Sequence, residues 1–414
     1  MKGQPSVTAT SETTLTERQE RVLRAIEAAK NATRKTSDFI YANPETAMKE
    51  VKSSAALADL MEEFGFEVER EAGGIKTAFV ARRGSGSPVV GFLAEYDALP
   101  GVDHGCGHNL IAGSNAVAGI GLAAALDDLP GTVIVYGCPA EEAIGGKVYM
   151  ANAGVFEGLD IALTTHPGAG GHSHNPVLEG SGGSLAWQEI EIEFHGQTAH
   201  AAADPENGVN ALNALLYVFR GIDGLRQHVK PSVRMHGVIT SGGLVPNVVP
   251  DYTRGHFYVR AETLTETAEL AEKVRKIAEG AASMTGAEVK FTLPHPPYAD
   301  VVPNYTLSRR IKNHLDGLGM QLPDQQPGPG RGSTDVGNVS YLAPTACARF
   351  PITEGLVPWH STVVNEAAGT EMAYDAMFTA AKAVALTGLE CLENTSLIDS
   401  AKSEWRDKLA KRKE

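Results

Sequence analysis

The sequence predicts an α/β fold in which a mostly parallel sheet carries helices on both faces and a smaller α+β unit is inserted. Three observations predict it. Short apolar runs rich in β-forming residues alternate with helical segments up to about residue 165. From about residue 185 the texture changes to strands of alternating polarity. A proline-rich stretch, 294–303, then marks a return to the first pattern. At 414 residues the chain exceeds what one hydrophobic core supports. The expected boundaries are 1–184 and 299–414 for the two parts of the larger domain and 185–298 for the insert.

The elements follow in order. Residues 1–16 are rich in Ser and Thr; residues 17–30 then place Val22, Leu23 and Ile26 at helical spacing. A second helix is expected over 49–65, with Val51, Ala55, Leu57, Leu60, Met61 and Phe64 mostly along one face and a glycine at its end. The runs 78–81, 89–94, 132–136 and 161–165 predict strands, with a helix over 113–126 between the second and third. In the insert, strands at 187–194, 233–241, 252–261 and 288–293 and helices at 208–225 and 263–282 give the order β-α-β-β-α-β, the split pattern of a small antiparallel sheet with two helices. Residues from 305 to about 385 complete the larger domain, and 401–414 is a charged helical pattern whose apolar face is too narrow to specify a position.

Composition excludes several function classes. With 50 acidic against 36 basic residues and a net charge of −14, the surface repels phosphate backbones and anionic lipid, so neither nucleic acid nor membrane is an expected partner. Hydrophobic residues at 43% and charged residues at 21% are the proportions of an ordinary globular chain that buries a sizeable core. Cys106, Cys138, Cys347 and Cys391 are widely spaced and form no CxxC pair, which suits a reducing compartment. The N-terminus lacks the apolar core of a signal peptide, and the most apolar stretch, 111–126, is interrupted by Ser, Asn and Gly. A cytoplasmic protein is expected.

Four clusters carry chemistry, three of them directly after expected strands, where ligands gather in open α/β sheets. Cys106 and His108 flank a glycine and offer a thiolate and an imidazole, ligands suited to zinc, manganese or cobalt. Glu141 and Glu142 place adjacent carboxylates past a strand, which is costly to desolvate without a cation or a proton. His166 ends the strand at 161–165, and His360 follows Pro358-Trp359. Taken singly, each reads equally as a structural residue: a buried thiol, a solvated loop, a hydrogen-bonded histidine. Together Cys106, His108, Glu142, His166 and His360 supply enough sulfur, nitrogen and oxygen for one or two metal ions and leave Glu141 free. His200, in the insert, also follows a strand and alone reads as a surface histidine. The glycine clusters at 84–86 and 168–171 lack the spacing of a dinucleotide fingerprint, and no G-x-S-x-G turn sits between a strand and a helix.

With these clusters in order, the chain resembles the metallo-aminoacylase and carboxypeptidase family, in its branch of aminobenzoyl-glutamate hydrolase and indole-acetyl-amino-acid hydrolase. The matching motifs are Asn43-Pro44-Glu45, Glu95-Tyr96-Asp97-Ala98-Leu99-Pro100, Cys106-Gly107-His108-Asn109, Pro139-Ala140-Glu141-Glu142, Thr165-His166-Pro167, Ala199-His200-Ala201-Ala202, Pro246-Asn247-Val248-Val249, Gly332-Ser333-Thr334-Asp335 and His360-Ser361. The resemblance implies a metallohydrolase domain and an inserted ferredoxin-like dimerisation domain. It further implies that Cys106, His108, Glu142, His166 and His360 hold metal, that Glu141 is the general base, that Asp97 is the site aspartate, and that His200 reaches the partner's site. Asn247 and Arg260 are implied near the substrate, and Arg331 is a further candidate for a carboxylate contact. One departure is Glu95, which stands where the wider family has a histidine two residues before the site aspartate; it leaves the number of ions at one or two.

The expected function is therefore metal-dependent hydrolysis of a carbon–nitrogen bond in a small N-acyl or aminobenzoyl amino acid, with one or two divalent ions, manganese or zinc first, in a homodimer. The same parts would serve hydrolytic deamination of an electron-poor aromatic amine such as 5-nitroanthranilate, and the chain also resembles the nitroanthranilate-type aminohydrolases of this branch. A third reading, from another class, is a catalytically silent dimeric ligand-binding protein.

Overall fold

In the computed structural model, which describes residues 15–170, 173–328, 330 and 332–412, ten strands form two sheets. The larger holds β1 (Glu67–Arg70), β2 (Phe79–Ser85), β3 (Val89–Glu95), β4 (Gly131–Cys138), β5 (Ile161–Gly168) and, across a long excursion, β10 (Thr345–Pro351), in the order β1-β2-β4-β3-β5-β10. The pairs β4–β3, β3–β5 and β5–β10 are parallel, whereas β1–β2 and β2–β4 are antiparallel. Burial explains the unbroken apolar runs. Val133 and Val135 of β4 enter a core beneath the helices Glu17–Ala42, His108–Ala123 and Glu371–Glu393, while Ile134 and Tyr136 enter a second core on the opposite face. A strand covered on both faces has no polar side to show.

The helix His108–Ala123 is buried along its whole length. Its stretch to Asp127 is long and apolar enough to cross a membrane by length and composition, yet here it is the buried centre of the larger unit.

The second sheet holds β6 (Ala186–His195), β7 (Arg234–Ser241), β8 (Tyr252–Ala261) and β9 (Glu288–Thr292), all neighbours antiparallel, in the order β7-β8-β6-β9. That is the split β-α-β-β-α-β topology expected of 187–293. Ile190, Ile192, Phe194, Phe257 and Val259 face the helices Ala211–Leu225 and Leu264–Thr285, and the alternate positions carry charge on the other face, including a Lys290–Glu193 ion pair of 2.6 Å. Trp187 and Tyr298, in a T-shaped contact with centroids 4.6 Å apart, cluster with Val148 of the larger domain and so join this unit to it.

Several expectations change. The helix expected over 17–30 continues to Ala42. Strands β1 and β10 were not anticipated, because β1 is four residues of mostly charged sequence and β10 has too little apolar alternation. The C-terminal pattern is the helix Thr395–Lys411, and polar groups dock it where its apolar face could not. The Glu404 carboxylate accepts from the amides of Tyr305 (2.7 Å) and Thr306 (2.9 Å), Trp405 donates to the Ser340 carbonyl (2.7 Å), and Arg412 pairs with Asp300 (2.6 Å).

Candidate metal centre

Parallel pairing aims the carboxyl ends of β3, β4, β5 and β10 at one edge of the sheet, and the singled-out residues leave from those ends. Tight turns bring them together. Gly107 has φ 75°, and a Cβ there would lie 2.8 Å from Pro167 Cγ, so only glycine lets the Cys106–His108 turn close against the end of β5 beside His166. Ala140 (φ 58°) and His360 (φ 57°) occupy the left-handed region without being glycine, at a cost of roughly 1–2 kcal/mol each. Such strain persists where the surroundings enforce it. At Ala140 the enforcing group is Glu50, whose buried carboxylate accepts from the amides of Ala140 and Met48, both at 3.0 Å.

The donor atoms converge. His108 gives its Nδ1 proton to Asp97 Oδ1 (2.8 Å), and His166 gives its own to the Pro167 carbonyl (2.6 Å). Each acceptor thereby fixes the tautomer and leaves Nε2 as a lone pair, the orientation characteristic of metal-ligating histidines. His108 Nε2 lies 3.5 Å from Glu142 Oε1, His360 Nε2 lies 3.4 Å from the same oxygen, and His166 Nε2 lies 3.7 Å from Cys106 Sγ. Three overlapping triads, Cys106/His108/His166, Cys106/Glu142/His360 and His108/Glu141/Glu142, each bring one donor atom per residue within 4.8 Å of one another.

The residues fit a metal. His108 Nε2 and Glu142 Oε1 are buried without any hydrogen-bond partner, an arrangement that costs free energy unless a cation supplies the missing contact. Burial pushes the Cys106 thiol well up, so a thiolate there also calls for a cation; Trp359 Nε1 donates to its sulfur at 3.3 Å. Burial alone would raise the Asp97 and Glu142 carboxyls, but His108 beside Asp97, and His360 with His108 beside Glu142, hold both below the usual range.

Glu141 behaves differently from its neighbour. Its carboxylate makes no hydrogen bond among the described residues, and burial, reinforced by Glu142 and Glu95, pushes it well above the usual carboxylate range. Its backbone is nonetheless pinned, because Tyr298 donates to the Glu141 carbonyl at 2.7 Å. Glu95 is claimed by Lys147, a fully buried lysine 2.8 Å from Glu95 Oε1 and 2.6 Å from Asp335 Oδ1. Neither Lys147 nor this use of Asp335 was legible in the sequence, since a lysine inside a helical run reads as solvent-facing.

A cavity of about 360 Å³ opens beside the cluster, lined by Glu95, Glu141, Glu142, His166 and His360 and, further along, by residues of β10 including Arg349. Arg260 does not line it but donates to Ser333 Oγ (2.8 Å), which does. His200 and Asn247 are not brought to this cluster. Both are exposed at one end of the four-stranded sheet, where the Ala201 amide donates to the Asn247 carbonyl at 3.0 Å and His200 Nδ1 accepts from the amides of Ala202 and Ala203. Arg331 lies outside the described residues. Arg349 was missed; its signal would have been that it alternates with Cys347 along a run ending beside the expected site.

The chain is similar to known proteins of one family. Residues 185–284 match the family model described as the M20 peptidase dimerisation domain. The chain is 34% identical to the Xaa-Arg dipeptidase of Mus musculus over 98% of its own length and 96% of the relative's. It is 31% identical to a p-aminobenzoyl-glutamate hydrolase polypeptide of Escherichia coli over 92% of this chain and 93% of that one. Among solved structures, a dinuclear metal binding peptidase of the M20 family from Bacillus subtilis superposes with a TM-score of 0.64 at 22% identity, covering 89% of this chain and 99% of the other, a likeness of fold. An α/β fold with a split α+β unit, a converging set of unpartnered metal donors and full-length relatives that are hydrolases together establish that the chain belongs to the M20 metallopeptidase family, enzymes that hydrolyse carbon–nitrogen bonds.

Proposed function

We propose that the protein hydrolyses the amide bond of a small N-acyl or aminobenzoyl amino acid, with Glu141 as the proton shuttle and Cys106, His108, Glu142, His166 and His360 as the residues that hold one or two divalent ions, manganese or zinc. The observation that carries this reading is the contrast between adjacent carboxylates: Glu142 is held low between two imidazoles, His108 and His360, while Glu141 is buried, unbonded and raised. Two neighbouring acids pushed apart in this way can divide the roles of ligand and general acid/base.

The ion, when bound, polarises the substrate carbonyl and activates water. Glu141 takes a proton from the attacking water and delivers it to the departing amine nitrogen. Asp97 keeps His108 in the tautomer that presents Nε2. Tyr298 and Glu50 hold the turn that carries Glu141. In a homodimer paired through the unit 185–298, His200 of one subunit would face the other's substrate, a reading supported by its exposure away from the cavity of its own chain. The relatives that span the chain are named for dipeptide or aminobenzoyl-glutamate cleavage, which supports amide hydrolysis over deamination of an aromatic amine.

The test is a screen on protein stripped by chelation and reloaded with Mn²⁺, Zn²⁺ or Co²⁺, with metal content measured by elemental analysis. The panel contains aminobenzoyl-glutamate, benzoylglycine, a dipeptide ending in arginine, and 5-nitroanthranilate. Amine release that requires reloaded metal is expected. Full turnover by metal-free protein, or ammonia from nitroanthranilate as the dominant product, would overturn the proposal.

A further inference from the structure

Glu142 is not the only carboxylate beside the metal-facing atom of His108. Glu95 Oε2 lies 3.7 Å from His108 Nε2, and Glu142 Oε1 lies 3.5 Å from it. Both carboxylates line the same cavity. By distance alone, an ion held by His108 could draw on either. The donor geometry nevertheless separates them, because Glu142 belongs to two of the three converging triads and Glu95 to none.

What distinguishes Glu95 is its partner. Lys147 Nζ stands 2.8 Å from Glu95 Oε1, and Lys147 is the one buried lysine or arginine among the described residues. Its own position is fixed from a third segment: Asp335 accepts from the Lys147 amide at 2.9 Å with one oxygen and from Nζ at 2.6 Å with the other. Lys147 is the second residue of the helix Gly146–Asn152, and a Cβ at Gly146 would lie 2.0 Å from the Pro139 carbonyl oxygen. The helix therefore starts tight against the turn that carries Glu141 and Glu142. The ammonium thus stands at one oxygen of Glu95, with His108 near the other. A cation buried this completely persists only when paired, and the same pairing neutralises the carboxylate nearest the metal donors.

We infer that Lys147 is a positioning residue that holds Glu95 out of the metal centre, so that His108 shares its ion with Glu142 and not with Glu95. The inference rests on the ligand set proposed above. A further anionic ligand would lower the net charge of the centre, and with it the acidity of bound water. Removing the ammonium leaves Glu95 buried without its counter-charge and 3.7 Å from a metal donor atom. A divalent ion is then the group at hand that can compensate it.

The experiment titrates chelator-stripped protein with Co²⁺ and reads affinity, stoichiometry by elemental analysis and the visible d–d absorption of the bound ion. The proteins are the parent, Lys147→Met, Glu95→Gln and the double variant. Lys147→Met should bind Co²⁺ about tenfold or more tightly than the parent, the scale on which groups around a metal's ligands act, with an altered absorption spectrum as Glu95 joins them. Glu95→Gln should keep the parent's affinity and spectrum, and the double variant should return to them. A Lys147→Met protein with the parent's affinity and spectrum, or a Glu95→Gln protein that binds Co²⁺ more weakly than the parent, would overturn the assignment. Should Lys147→Met not fold, Lys147→Gln, which keeps a polar group between the two carboxylates without the charge, takes its place in the same comparison. A parent that binds no Co²⁺ would reject the ligand set and this inference together, whereas a parent that binds it, with Lys147→Met unchanged, rejects this inference alone.

Discussion

The two sheets use opposite sequence strategies. In the four-stranded sheet, β8 alternates buried and less buried positions along nearly its whole length, and polar residues face away from the core. In the six-stranded sheet, β4 is buried at all eight positions, and its polar residues gather beyond the strand ends, in turns with backbone conformations that few side chains adopt willingly. One unit is built for shape and obeys local rules almost throughout. The other breaks them where chemistry is required: Glu141, His108 and Lys147 are buried, and Ala140 and His360 are left-handed. Departures from local preference concentrate at sites where the fold, rather than the segment, holds the conformation.

The sharpest way to break this comparison is at the adjacent glutamates. Glu141→Gln should slow turnover by roughly 100-fold or more with near-normal metal content, the scale of a lost general acid/base, while Glu142→Gln should lose metal. Rates measured beside elemental analysis check this, and a reversed pattern would exchange the two roles.

A second test asks whether the four-stranded unit contributes chemistry. Mixing inactive Glu141→Gln and His200→Ala proteins under conditions that exchange subunits should restore activity towards half the normal value per mixed dimer, because one of its two sites then has both residues. Proven exchange without recovery would return His200 to a purely surface role.

The smallest effect concerns Glu50. Burial raises its carboxyl from 4.5 to about 7. An acid whose folded pKa stands above its unfolded value binds more protons when folded, so its contribution is complete below about 4.5 and declines as pH rises through about 7. Glu50→Gln keeps an oxygen for the Ala140 and Met48 amides and removes the buried charge. The variant should match the parent at pH 4.5 and exceed it by on the order of 2 kcal/mol at pH 8 in denaturant unfolding. An equal difference at both pH values would show that Glu50 acts through packing alone.

Much of the fold was legible because periodicity is a local property. The expected strand over 252–261 coincides with β8, and the helix expected over 263–282 is Leu264–Thr285. The candidate metal donors were legible too, since Cys106, His108, Glu142, His166 and His360, with Glu141 beside them as the candidate base, stand in short motifs, most of them past apolar runs. Strand β10 was not, because its seven residues gain their identity from pairing with β5, and Arg349 acquires meaning only in register with His166.

The sequence by itself therefore determined the two units, their order of elements and the candidate donors that the fold brings together, all encoded in spacings of a few residues. Only the tertiary structure decided which atoms of those residues are free, that Lys147 occupies Glu95, that Glu50 holds the turn beneath Glu141, and that His200 lies away from its own cavity. These depend on contacts between segments from 45 to over 100 residues apart, such as Asp97 with Glu142 and Glu50 with Ala140. No local pattern records them, because hydrogen bonding and desolvation are set by what surrounds a group rather than by what precedes it in the chain.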